Sequence, residues 1–204
     1  MSEPQSYRSA VALPCNQGEC DGGTSPKTTR ILLVGYRGTG KSTVGRSLAA
    51  ALNWNFVDCD EEVERLTGQT IANIFAHEGE EGFREREAAV LRSVCQQRDC
   101  VIATGGGVIL RESNRLLLRQ SGWVVWLRAE PETIRRRLEE DPTTPVRRPA
   151  LTGQSSLAEI CTLLVQRTPL YAAVADQVVD TDQLSPQAVV AAILTAWSGG
   201  TWSH

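Results

Sequence analysis

The chain has 204 residues, of which 41% are hydrophobic and 22% charged, and its formal net charge is −3. That length suits one α/β domain with a core large enough to fold alone, and the weakly acidic balance gives no pull toward nucleic acid or an anionic membrane surface. No apolar run approaches the ~20 residues needed to span a bilayer. With His77 and His204 as the only histidines, a histidine-rich metal site is excluded.

Residues 1–29 carry Ser, Pro, Gly, Gln and Thr with little apolar periodicity, and are expected to form a disordered leader. They lack the apolar core of a secretory signal, and Glu3, Glu19 and Asp21 argue against a transit peptide. From Arg30 onward, short apolar runs alternate with helical patterns. Strands are expected at Ile31–Val34, Phe56–Asp60, Cys100–Thr104, Val124–Leu127 and Gln177–Asp180. Helices are expected at 41–53, 61–66, 71–77, 82–97, 114–120, 131–138, 157–174 and 186–197. In the fourth of these, Phe83, Ala88, Val90, Leu91 and Val94 are the candidates for the buried side. The stretch 141–156 is rich in Pro, Thr, Gly and Ser. Strands alternating with helices imply a parallel sheet covered on both faces, with ligands gathering at the carboxyl ends of the strands.

The most specific motif is Gly35-Tyr36-Arg37-Gly38-Thr39-Gly40-Lys41-Ser42, which fits the phosphate-binding loop G-x-x-x-x-G-K-[ST] between a strand and a helix. Its glycines let backbone N–H groups close around phosphate oxygens, and the helix N-terminus adds partial positive charge. Lys41 can reach the β- and γ-phosphates of a nucleotide, and the Ser42 hydroxyl can ligate Mg²⁺. Asp58 and Asp60, two apart on the expected strand, would share a face; one could help hold Mg²⁺ through water, and the other could accept a hydroxyl proton or bind a polyol. Arg84, opening a helix after a run of acids, could clamp a carboxylate. Gly105-Gly106-Gly107 offers N–H groups and close approach to a ligand. Arg148 and Arg167 are candidate phosphate or carboxylate ligands, whereas Arg135, Arg136 and Arg137 are assigned to a solvated helix face. His77, in an acidic stretch, is read as a solvated helix-end residue. The six cysteines (15, 20, 59, 95, 100, 161) show no paired metal-ligand spacing, so reduced thiols are expected.

Taken in order, GYRGTGKST, DCD, EGEEGFRERE, ATGGG, RRPAL and RTPLY make the chain resemble the shikimate kinase family from about Arg30 to Trp197. The resemblance implies a P-loop α/β three-layer sandwich of the nucleoside-monophosphate-kinase type, with five parallel strands in order 2-3-1-4-5. It implies transfer of the ATP γ-phosphate, with Mg²⁺, to the 3-hydroxyl of shikimate, giving shikimate 3-phosphate and ADP on the way to chorismate and the aromatic amino acids. By position, Gly38, Thr39, Gly40, Lys41, Ser42 and Thr43 would bind ATP phosphates, and Ser42 and Asp58 would serve the metal. Asp60, Arg84, Gly106 and Arg167, with the neighbouring Gly105 and Gly107, would bind shikimate. Lys41, Asp60 and Arg148 would carry the catalysis, with Arg148 as the ATP-contacting arginine of a mobile lid near 141–156. A cytoplasmic monomer without nucleic-acid or membrane partners is implied as well. Tyr36-Arg37, which brings bulk and an extra charge into the loop, and the lid prolines Pro142, Pro145 and Pro149 depart from the common pattern. Cys59, between the two aspartates, is expected to be buried and inert. Two rivals stand beside this reading: a gluconate-type kinase on the same fold, and a catalytically silent nucleotide-binding relative.

Overall fold

The computed structural model describes residues 29–140 and 157–199. The expected leader, apart from Thr29, and the expected lid with Arg148 lie outside the described residues. In chain order the elements are β1 (Arg30–Val34), α1 (Lys41–Leu52), β2 (Asn55–Asp58), α2 (Cys59–Thr67), α3 (Ile71–Val94), β3 (Cys100–Ala103), a 3₁₀ turn at Val108–Leu110, α4 (Glu112–Ser121), β4 (Trp123–Arg128), α5 (Pro131–Glu140), α6 (Leu157–Ala172), β5 (Gln177–Asp180) and α7 (Pro186–Gly199).

The strands form one sheet in the order β2-β3-β1-β4-β5, and every pairing is parallel. In the central strand, Leu32 is in register with Ile102 on one side and Val124 on the other. Alternation along β1 then divides the core. Leu32 and Val34 pack with Phe83, Leu91, Val124 and Trp126 on the α3 side. Ile31 and Leu33 pack with Val44, Leu48, Val125 and Ile193 on the side of α1 and α7. Both faces of β1 are buried because helices cover both, so its sequence is a continuous apolar run rather than an alternating one. A smaller cluster of Tyr36, Ala129, Ile134 and Ile160 ties α5 and α6 to the loop after β1.

Leu33 is fully buried. Leu33→Ala is expected to cost about 3 kcal/mol, because the helices that flank it limit collapse of the cavity; a urea midpoint unchanged from the wild type would contradict this packing.

Three differences from the expected elements stand out. The chain leaves β2 at Asp58, and Asp60 belongs to α2. Helix α3 joins what reads in sequence as two separate helices, with a break at Gly79 (φ 71°, ψ −172°) that a glycine tolerates. The Val108–Leu110 turn was not anticipated. All five residues expected on the buried side of α3 are buried.

Candidate active site

The loop after β1 is held by its own polar groups. Gly40 caps α1 in the left-handed region (φ 90°, ψ 13°), a conformation that costs a residue with a side chain. Having no side chain, it leaves the first-turn N–H groups for an outside acceptor, and no acid occupies that turn to compete for the same field. Lys41 is only 8% exposed. Its ammonium donates to the Gly35 and Tyr36 carbonyls, each at 2.8 Å, which suspends a cation across the mouth of the loop. The Thr39 hydroxyl donates to the Tyr36 carbonyl at 2.8 Å and tightens the same turn.

The end of β2 meets this loop from the side. The Ser42 hydroxyl donates to Asp58 Oδ2 at 2.5 Å. Burial pushes the Asp58 carboxyl above its ordinary range, and the Ser42 hydrogen bond opposes that rise. The other Asp58 oxygen caps α2, accepting from the N–H of Asp60 at 3.0 Å and of Glu61 at 3.5 Å. This cap is the physical reason the strand stops here. The expectation that Asp58 and Asp60 share a strand face is therefore corrected: Asp58 closes the strand, and Asp60 stands in the first turn of α2 with Glu61 and Glu62, where the helix field favours acids. Cys59 is 1% exposed, and burial pushes its thiol well above the ordinary range, in agreement with an inert side chain.

A second set of groups converges on the triple glycine after β3. Arg84, on α3, is 8% exposed and donates to Glu87 at 2.8 Å and to Glu80 at 3.1 Å. Burial works against its charge, but Glu87 and Glu80 outweigh burial and hold the guanidinium above its ordinary range. Arg84 Nε is buried without a hydrogen-bond partner among the described residues, an unsatisfied donor at this point of the fold. The guanidinium fills the space a side chain at Gly107 would need: a Cβ there would lie 2.3 Å from Arg84 Nη1. From the other side, Arg167 on α6 donates to the Gly106 carbonyl at 3.4 Å, with its guanidinium 5.6 Å from the centre of the Tyr36 ring. Gly106 in turn abuts the phosphate loop, since a Cβ on it would lie 3.3 Å from the Arg37 nitrogen. Arg84, Gly105–Gly107, Arg167 and the phosphate loop thus meet at the carboxyl ends of β1 and β3.

Among the arginines assigned to a solvated helix face, Arg135 pairs with Glu132 and Glu139 on α5 as expected, and Arg136 is exposed. Arg137 is a correction. It donates to the Thr181 carbonyl at 2.6 Å, to the Thr181 hydroxyl at 2.9 Å and to the Gly38 carbonyl at 3.4 Å, and so braces the phosphate loop against the chain after β5. Glu87, the buried partner of Arg84, is a further participant not singled out from sequence. The spacing of Glu87, three residues after Arg84 on a helix, was a usable signal for that pair.

A sequence model of the family described as shikimate kinase matches residues 37–198. The chain belongs to the shikimate kinase family. It is 46% identical over 170 residues to the shikimate kinase of Rhodopirellula baltica, an alignment covering 83% of this chain and 91% of the relative. Against the shikimate kinase of Symbiobacterium thermophilum the identity is 48% over 164 residues, covering 80% and 93%. Among solved structures it resembles the shikimate kinase from Acinetobacter baumannii in complex with shikimate, with a TM-score of 0.80 and 39% identity over 86% of this chain and 96% of that one. Shikimate kinases transfer the γ-phosphate of ATP, supplied with Mg²⁺, to the 3-hydroxyl of shikimate. The chain is accordingly a small-molecule kinase of the shikimate pathway with the fold its sequence implied. No described helix is long and apolar enough to cross a membrane, and the cysteines among the described residues (Cys59, Cys95, Cys100, Cys161) are free thiols.

The residues present fit the Mg²⁺–ATP donor. Mg²⁺ prefers oxygen ligands and leaves much of its shell to phosphate and water; the adjacent Ser42 hydroxyl and Asp58 carboxylate offer oxygens of that kind, and no cluster of three or more His, Cys, Asp or Glu competes among the described residues.

Proposed function

We propose that this chain phosphorylates shikimate with the residues assembled around the triple glycine and the phosphate loop. The observation that carries the assignment is the pair of arginines, Arg84 and Arg167, placed against Gly107 and Gly106 directly beside the loop that takes phosphate. Shikimate has one carboxylate and three hydroxyls. Arg84 and Arg167 would hold the carboxylate, and Asp60 with the glycine N–H groups would hold the hydroxyls. Gly38–Thr43 would wrap the ATP phosphates, and Ser42 and Asp58 would hold Mg²⁺. When bound, the ion neutralises charge on the β- and γ-phosphate oxygens.

Phosphoryl transfer passes through a loose transition state, so positioning and charge neutralisation do most of the work. Lys41 supplies a fixed cation at the loop mouth, and its two carbonyl bonds hold it in place before the substrate arrives. Asp60 orients the attacking hydroxyl; little proton removal is needed early in a loose transition state. Arg148 would close over the transferring phosphate from the segment 141–156. The same reading makes the protein a cytoplasmic monomer that acts on small molecules alone, which agrees with its net charge of −3 and its free thiols.

The test is ADP release measured in parallel with shikimate, gluconate and nucleoside monophosphates, with Mg²⁺ and ATP saturating. Shikimate alone is expected to support rapid release. Folded protein giving no shikimate-dependent ADP would sink the assignment, and turnover with gluconate instead would favour the rival kinase.

A further inference from the structure

Tyr171 has no part in the chemistry described so far. It follows Arg167 by one turn of α6, so the two side chains share a face. Its ring is fully buried and stacks on Trp126, with centroids 5.6 Å apart and planes at 24°. Its hydroxyl donates to the Gly106 carbonyl at 2.5 Å, the same oxygen that accepts from Arg167. Burial pushes the phenol far above its ordinary range, with Arg167 working in the opposite direction, so the hydroxyl keeps its proton at any physiological pH.

The target of that bond matters because Gly105–Gly107 has no side chains to fix its own conformation, and glycine backbone is the most costly to order. The peptide unit joining Gly106 to Gly107 is planar. Fixing its oxygen therefore also fixes the Gly107 N–H and the Gly107 α-carbon. That α-carbon is the surface on which the Arg84 guanidinium rests, while the Gly106 oxygen is a seat for Arg167. One peptide plane thus meets both guanidinium groups, and Tyr171 holds its oxygen.

We propose that Tyr171 is a positioning residue for the acceptor site: its hydroxyl holds the Gly106–Gly107 peptide plane and so sets the spacing at which Arg84 and Arg167 meet the carboxylate of the acceptor. The proposal rests on the acceptor assignment above. Tyr171→Phe removes the hydroxyl and keeps the stacked ring. A single net hydrogen bond of ordinary strength corresponds to about a fivefold effect on affinity. The shikimate KM of the full-length variant is therefore expected to rise about five- to tenfold, with kcat and the ATP KM within about twofold of wild type.

Steady-state ADP release, with each substrate varied at saturating levels of the other, reads all three values. A Tyr171→Phe enzyme whose shikimate KM equals that of wild type overturns the proposal. So does one whose ATP KM rises as much as its shikimate KM, because that pattern marks a general loosening of the fold. A wild-type protein without shikimate-dependent turnover overturns the acceptor assignment and this proposal together, whereas an active wild type beside an unaffected variant overturns this proposal alone. If Tyr171→Phe does not fold, Trp126→Phe decides. It keeps the hydroxyl but removes part of the surface that seats the ring. A selective rise in its shikimate KM supports the positioning role, and an unchanged value overturns it.

Discussion

Lys41→Met is expected to lower kcat by about a thousandfold or more while the parallel sheet still forms. One fixed donor aimed at developing charge is commonly worth a factor of about 10²–10³, and phosphoryl transfer depends on such charge neutralisation more than most reactions. The side chain also has a structural task. Its bonds to the Gly35 and Tyr36 carbonyls close the loop, and each contributes about 1 kcal/mol net. Met recovers part of that loss because the site is 92% shielded from solvent and suits an apolar chain. The expected outcome is a thermal midpoint lowered by several degrees, with a circular dichroism spectrum like that of wild type. Lys41→Arg should fare little better, since the planar guanidinium cannot occupy the ammonium's place between two carbonyls without pushing the loop apart. A Met variant that keeps kcat within about tenfold of wild type would remove Lys41 from catalysis.

The fold was legible because its signals are local. The central strands β1, β3 and β4 are short apolar runs, and the periodicity of α3 marks Phe83, Ala88, Val90, Leu91 and Val94 as its core face. What local pattern could not show is where one element yields to the next. In the run Phe56–Asp60 the local mark is Asp58 with Glu61 three residues on, a helix-start pattern that competes with the strand reading. The boundary is set when Asp58 turns its carboxylate onto the N–H groups of Asp60 and Glu61, which is a competition between a cap and a ladder bond decided by tertiary position. The break at Gly79 is similar: helical pattern resumes on both sides of it, and whether the two pieces are joined depends on what they pack against.

In the site, the legible residues are those whose role is carried by backbone or by a fixed spacing. The phosphate loop is the strongest case, and Arg84 and Arg167, read from separate motifs, both contact the triple glycine. Residues whose partners are distant in sequence were hidden. Arg137 finds Thr181 across 44 positions, and Tyr171 finds Gly106 across 65. In sequence Arg137 is one of three consecutive arginines on an amphipathic helix, and nothing in that pattern separates it from Arg135, which pairs with acids on its own helix. The choice is made by helix phase and by how α5 sits over the phosphate loop, where Leu138 also presses on Gly38.

Arg84→Met joins binding and stability in a way that a second substitution can separate. Arg84 and Glu87 form a buried ion pair at 2.8 Å, with side-chain exposures of 10% and 1%. Removing the cation leaves a carboxylate deep in the protein without its charge partner, and breaking one side of such a pair typically costs about 3–5 kcal/mol. Removing both charges is far milder, because apolar side chains of similar volume can fill the space. Arg84→Met is therefore expected to lower the urea midpoint sharply, and the double variant Arg84→Met/Glu87→Met to restore most of it. Binding should not follow the same course. If Arg84 grips the acceptor's carboxylate, the shikimate KM should rise about a hundredfold or more in both variants, since a charge-assisted bidentate contact is missing from each. Shikimate kinetics of the stable double variant decide the matter: recovery of a wild-type KM along with the stability would mean that Arg84 serves the fold and that the carboxylate is held elsewhere.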